Sequence, residues 1–232
     1  MAYVARQIIN GVPQGTLWSP NSNTKGYWPL SDDLLDYSGN NHTLQTESIS
    51  GSTAPEITVG KFGSGRYFSD SPDGTLLWCN NSVITDLTTF TVSFWMKSQK
   101  GVTPIVGIGG WNEGGIIIGE SFHNAAGGLM PSVGWLSTDD SPVISNDGST
   151  WTNLICTRSA GNTQFFTNGV AGATVYTQTP NSPANGWIQM GRYADTTGSD
   201  GGNKWKGTLC EVIIEDRAWD PSEITNYYNL LK

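Results

Sequence analysis

Short runs of β-branched and aromatic residues, each broken within a few positions by glycine, asparagine or proline, recur along most of this 232-residue chain and leave room for little but strands. Eleven such runs stand out: Tyr27 to Leu30, Gly65 to Phe68, Thr75 to Cys79, Phe90 to Lys97, Pro104 to Gly107, Gly115 to Gly119, Leu129 to Leu136, Thr152 to Arg158, Gln164 to Thr167, Trp187 to Gly191 and Lys206 to Glu215. In the fourth, Phe90, Val92, Phe94 and Met96 fall on one face and Thr91, Ser93, Trp95 and Lys97 on the other, which predicts a half-buried strand. Many short strands joined by turns predict an all-β, two-sheet antiparallel sandwich.

One segment breaks the rhythm. Asp220 suits an N-cap, Pro221 the first helical position and Glu223 the N3 place of a capping box, with Ile224, Tyr227, Tyr228 and Leu231 following at helical spacing. A short C-terminal helix packed by one face on the sandwich is expected.

Charge narrows the partners. Twelve Lys and Arg against 20 Asp and Glu give a net charge of -8, so the chain lacks the cationic surface that a phosphate backbone requires, and nucleic acid is not expected. No run of 18 apolar residues occurs, so no membrane insertion is expected. Cys79, Cys156 and Cys210 are few, widely spaced and odd in number, which reads as free buried thiols rather than a disulfide framework.

Residues 1–25 mix a short apolar stretch with Gly11, Pro13, Gly15 and Pro20 and read as an extended N-terminal arm before a domain over 26–232. The arm is expected to pack on the domain or on a neighbouring subunit. Met1 to Asn10 shows neither the apolar core nor the cleavage site of a signal peptide, so either Met1 stands in place of a leader or the protein reaches its site without one, as virion proteins do.

Five stretches, taken together and in order, resemble the laminin G-like jelly roll of the concanavalin A-like lectin and glucanase superfamily. They are Gly26-Tyr27-Trp28-Pro29-Leu30 with Asp36-Tyr37-Ser38-Gly39-Asn40; Gly60-Lys61-Phe62-Gly63; Thr89 to Lys97; Trp151-Thr152-Asn153-Leu154 with Phe165-Phe166-Thr167-Asn168-Gly169; and Gly207 to Val212 with Ala218 to Ile224. The physics agrees, since Asn168-Gly169 suits a type I′ hairpin turn. The resemblance implies that Trp28, Trp95 and Trp151 pack in the core. It also implies an acidic residue where Cys210 stands, which weakens a calcium role at that place.

Three chemistries bear on these residues. Catalysis by a glucanase of this fold needs carboxylates close together on one strand face, but Glu211 and Glu215 lie roughly 13 Å apart along a strand. They read as a solvated face, and His42 and His123 have no nucleophile signature beside them, so no catalytic residue is expected and the chain is not expected to be an enzyme. Calcium is a second possibility, with Asp36, Asp70, Asp73, Asp195 and Asp200 as candidate oxygen ligands, although Asp and Gly at these places serve equally as turn formers. Sugar binding is the third. Trp111 and Asn112 in a glycine-rich loop, and Tyr193, Asn203 and Trp205 around the Asp195 loop, are the exposed aromatic and amide groups that would meet a ligand, although a Trp in such a loop serves equally as a plug over the end of the sandwich.

The expectation is a non-catalytic binding or display module, a decoration or adhesion protein on a virion or another extracellular surface, with weak binding to a glycan or cell-surface polysaccharide. The alternative is a structural subunit that assembles through its arm, as a homo-oligomer or within a larger assembly.

Overall fold

The computed structural model describes residues 7–9, 12–14, 18–46, 52–71, 74–79, 81–100, 104–110, 114–121, 130–133, 144–177, 186–194 and 200–232. Its strands are β1 (Gln7–Ile9), β2 (Val12–Gln14), β3 (Thr24–Trp28), β4 (Glu56–Gly60), β5 (Gly63–Phe68), β6 (Leu77–Cys79), β7 (Phe90–Lys100), β8 (Pro104–Gly110) and β9 (Gly114–Ser121). They continue as β10 (Met130–Val133), β11 (Thr152–Ser159), β12 (Asn162–Thr167), β13 (Val170–Tyr176), β14 (Ile188–Met190), β15 (Arg192–Ala194), β16 (Asp200–Lys204) and β17 (Lys206–Glu215), with one helix, α1 (Pro221–Leu231).

Two antiparallel sheets form the expected jelly-roll sandwich. The larger runs β13-β12-β11-β7-β17-β5-β4, with β3 also on β17, and the smaller runs β10-β9-β8-β14-β6. Strands β3 and β5 share one edge of β17, β5 pairing with Gly207 to Leu209 and β3 with Val212 to Glu215. Between the sheets lies the main core, where Trp28, Phe68, Phe90, Val92, Phe94, Met96, Leu154 and Phe165 meet Leu77, Ile105, Ile108, Ile116, Ile118, Ile188 and Met190. Each such side chain, fully buried, contributes about 1.5–3 kcal/mol.

The strand β7 departs from the half-buried expectation. Thr91, Ser93 and Trp95 on its second face are as buried as Phe90 and Phe94 on its first. The cause is a second core on the outer side of the larger sheet, where Ile224 and Tyr227 of α1 and Trp219 just before it meet Ile155, Phe166 and Ile213, and residues 18–27 add Trp18 and Tyr27. Trp18 stacks on Trp219 with ring centroids 4.7 Å apart. Residues 18–25 are therefore built into the folded body, and β3 begins at Thr24 rather than at Tyr27. Upstream, β1 and β2 pair as an antiparallel hairpin where an extended arm was expected.

The helix begins as predicted, Asp220 Oδ1 accepting the Glu223 N–H at 2.8 Å. The capping box is only half made. Glu223 turns its carboxylate to Arg217, which donates to both oxygens at 2.8 and 2.6 Å. The Asn168-Gly169 turn holds the expected positive φ at both residues, 53° and 77°, between β12 and β13. All three cysteines are free and buried. The strands β4 and β13, at the two edges of the larger sheet, gave no legible alternation because their outward residues Ile57, Val59, Val170 and Val175 are apolar yet exposed.

Candidate binding face and the buried carboxylates

The two carboxylates of β17 are not on a solvated face. Between Cys210, paired with Trp95, and Ile213, paired with Ser93, the strand carries a bulge, and Glu211 takes a φ of 55° within it. Glu211 is 1% exposed and Glu215 0%. The extra residue turns both carboxylates under the second core. Glu211 Oε2 accepts the Tyr27 hydroxyl at 2.6 Å. Glu215 Oε1 accepts from Asn21 Nδ2 at 2.9 Å and Thr24 Oγ1 at 3.0 Å, and its Oε2 accepts from Trp219 Nε1 at 2.7 Å and pairs with Arg217 Nε at 2.7 Å. Burial, reinforced by Glu211, holds the Tyr27 and Tyr227 phenols well above their ordinary range. These groups fasten the 18–28 segment and α1 to the sheet.

The aspartates proposed for calcium separate into two groups. Asp36 is saturated by its own turn. Its Oδ1 accepts the Tyr27 and Ser38 N–H groups at 3.0 and 2.8 Å, and its Oδ2 accepts the Ser38 hydroxyl at 2.8 Å and the His42 N–H at 2.9 Å. His42 has its Nδ1 2.9 Å from the Lys25 carbonyl oxygen, a structural place. Asp70 pairs with Lys206 at 3.3 Å. Asp200 opens β16, its backbone opposite Ala194, while Asp73, Asp195 and His123 lie outside the described residues. Among the described residues no three His, Cys, Asp or Glu side chains stand together as a metal shell. Asp36, with four donors on two oxygens, does not fit as a calcium ligand.

The sugar-binding candidates fare unequally. Trp111 and Asn112 lie outside the described residues. Tyr193 and Asn203 sit on β15 and β16, each next to the paired residues Arg192 and Lys204 of that two-stranded ribbon. Trp205 was expected to be exposed and is not. It is 0% exposed, its ring 5.7 Å from that of Phe68 and its Nε1 donating to Ser98 Oγ at 3.2 Å, so it belongs to the main core. Trp151, expected in the core, is instead half-buried at the start of β11.

A different aromatic pair occupies the outer face of the smaller sheet. Because Leu77, Cys79, Ile188 and Met190 point into the core, their neighbours Trp78, Trp187 and Gln189 point away from it. Trp78 stands opposite Gln189, Gln189 opposite Gly107, and Gly107 opposite Ile117, a row across four strands. The Trp78 and Trp187 rings are half-buried, 6.0 Å apart and inclined at 50°. Beside them Gln189 lies over the glycines of β8, its Nε2 donating to the Gly109 carbonyl at 3.4 Å. The signal was present in the sequence as Leu-Trp-Cys and Trp-Ile-Gln-Met, strands whose Trp falls out of phase with the core residues.

Around the corner, the 83–89 loop is docked on the residue before Trp187, Val83 N–H donating to the Gly186 carbonyl at 2.7 Å. A cleft of about 360 Å³ opens there, lined by Lys25, Val83, Ile84, Thr85, Asp86, Thr88, Thr89 and Asp216. Lys25 and Asp216 form an ion pair across 2.7 Å within its wall.

Comparison with known proteins bears on the fold. The family model described as the concanavalin A-like lectin/glucanases superfamily, of the laminin G kind, matches residues 70–225. No curated protein matches the sequence. Among solved structures, domain 4 of AbnA, a GH43 extracellular arabinanase from Geobacillus stearothermophilus in complex with arabinotriose, is similar at a TM-score of 0.68 and 18% identity, covering 89% of this chain and 98% of that one. The binding domain of Paraclostridial Mosquitocidal Protein 1 follows at 0.61 and 16%, covering 90% of this chain and 52% of that one. Trypanosoma rangeli sialidase with the inhibitor DANA gives 0.62 and 14%, covering 97% and 35%. The chain thus spans about half of the toxin domain and about a third of the sialidase. Identities this low speak for the fold alone.

Proposed function

The chain belongs to the concanavalin A-like lectin/glucanases superfamily, and from that premise we propose that it is a non-catalytic glycan-binding module whose platform is the Trp78–Trp187 pair. The observation that carries the reading is two inclined, half-buried indole rings side by side on an outer sheet face, above the buried amide of Gln189. Aromatic rings receive the apolar face of a sugar while amides and backbone groups read its hydroxyls. Two proteins of similar fold support the reading: AbnA domain 4 was solved in complex with arabinotriose, and cell entry of botulinum neurotoxin type C is dependent upon interaction with two ganglioside molecules. The buried state of Glu211 and Glu215 supports the absence of hydrolysis. Display on a virion or another extracellular surface is part of the same proposal.

The test is a glycan array followed by calorimetry on the best neutral oligosaccharide, arabinotriose included. Trp78→Ala and Trp187→Ala are expected to weaken binding about tenfold or more, a loss of about 1.4 kcal/mol. A folded protein that binds nothing on the array, or that releases sugar from any polysaccharide, would overturn the proposal.

A structural subunit remains the second reading, favoured by one observation. Ile57 and Val59 are 55% and 77% exposed on β4, an edge strand of the larger sheet, and such edges invite pairing with another chain. Light scattering during size exclusion decides it: an oligomer that dissociates in Val59→Lys supports assembly through this edge, and a monomer removes it.

A further inference from the structure

We propose that the outer face of the larger sheet carries a second site, separate from the Trp78–Trp187 platform, that takes an anionic glycan. On this acidic chain Lys25, Lys206 and Arg217 are each paired with a carboxylate. Lys61, Lys97 and Lys232 have none within ion-pair distance among the described residues, and each lies over aromatic rings instead. Lys61 Nζ is 4.8 Å from the Trp95 ring and 5.7 Å from Phe62, Lys97 Nζ is 5.2 Å from Trp151, and Lys232 Nζ is 5.9 Å from Tyr228. Contacts of this kind occur roughly once per 70–80 residues, so their number is ordinary. Among the described residues, all of them fall on the outer face of the larger sheet or at its rim.

The three lysines belong to one continuous belt. Tyr228 stacks on Trp95 at 5.9 Å, and Phe62 meets Trp95 edge-on at 5.5 Å. Trp95 and Lys97 point the same way from β7, about 7 Å apart along the strand. Trp95 itself is buried, while Phe62, Trp151 and Tyr228 are half-exposed. The belt therefore offers ammonium groups spaced along a strip of partly open rings, complementary to a chain whose units each carry an apolar ring face and a carboxylate or sulfate.

Other anions fit less well. Anionic membranes attract clusters of about four to eight cations, and duplex DNA is held through many phosphate contacts, whereas three lysines on a chain of net charge -8 fall short of both. An extended acidic peptide docks by adding to a free strand edge, but β7 is paired on both sides, with β11 and β17. Recognition here must come from side chains alone.

The probes are an oligogalacturonate and a heparin-derived oligosaccharide, with arabinotriose as the neutral control and poly-glutamate and duplex DNA as competing anions, measured by calorimetry at about 50 and 200 mM salt. The expected result is binding of an acidic oligosaccharide that weakens with salt, falls at least tenfold in Lys61→Ala/Lys97→Ala, and survives Trp78→Ala. Neutral glycan binding, if the first platform works, is expected to survive the lysine pair, so the two proposals fail separately. Both lysines are part-exposed, and an unchanged melting temperature shows that the variant folds. Failure of both acidic probes on the folded protein, affinity untouched by the lysine substitutions, or equal binding of poly-glutamate or DNA would each overturn the proposal.

Discussion

The Tyr27 hydroxyl donates to Glu211 Oε2 across 2.6 Å, joining β3 to the bulge of β17 beneath the terminal helix. This bond places a carboxylate where sequence logic put a solvated strand face. It is also what holds the 18–28 segment in register with the closing strand.

Removal of that donor is expected to destabilise. Tyr27→Phe leaves the buried Glu211 short of a hydrogen bond and should cost about 1–3 kcal/mol in urea unfolding at neutral pH. The phenols of Tyr27 and Tyr227 are raised above their unfolded value of about 10, so the fold favours their neutral forms. Their contribution is complete below about pH 10 and is lost as pH climbs from there towards the folded values. The urea midpoint should stay level from pH 7 to about 9.5 and then fall, less steeply in Tyr27→Phe; a level midpoint up to pH 11 would contradict the assignment.

Glu215 is expected to resist even a conservative change. In Glu215→Gln one end of the amide can still accept from Asn21 and Thr24, but the other sets an N–H against the Trp219 indole N–H and the Arg217 guanidinium. Breaking a buried charged pair in this way costs about 3 kcal/mol. Arg217 keeps Glu223, so a still larger loss is not expected. A denaturation midpoint unchanged from the parent protein would show that these contacts carry no stability.

Asp36 separates turn chemistry from metal chemistry. Asp36→Ala removes the acceptor for two backbone N–H groups of neighbouring residues and for Tyr27, at a cost of about 1–3 kcal/mol. The drop in melting temperature should be the same in EDTA and in calcium. Stabilisation of the parent by calcium that vanishes in Asp36→Ala would make this carboxylate a ligand after all.

Trp205 and Trp78 should trade places in any assay of binding against stability. Trp205→Ala opens a cavity beside Phe68 and is expected to cost about 3–5 kcal/mol while leaving glycan affinity of the folded fraction intact. Trp78→Ala should lose affinity with a smaller change in melting temperature. Calorimetry paired with thermal unfolding on both variants reads the difference.

The sequence by itself determined the sandwich and its capped helix, because period-2 alternation, an Asn-Gly turn and an Asp-Pro helix start are local signals that act within a few residues. Phe90 to Met96, Asn168-Gly169 and Asp220-Pro221 could be read without knowing what lay across from them. Only the tertiary structure decided which polar and aromatic groups meet water. Glu211 and Glu215 look like any solvated pair until a bulge and the packing of α1 and Trp18 bury them, and Trp205 looks like a loop aromatic until Phe68 and Ser98 close around it. Burial is a property of what packs from a distance: Trp18 meets Trp219, and Asn21 meets Glu215, across nearly the whole chain. The same distance effect pairs Trp78 and Trp187, half-buried, on the outer side of the smaller sheet, a juxtaposition that no local pattern contains.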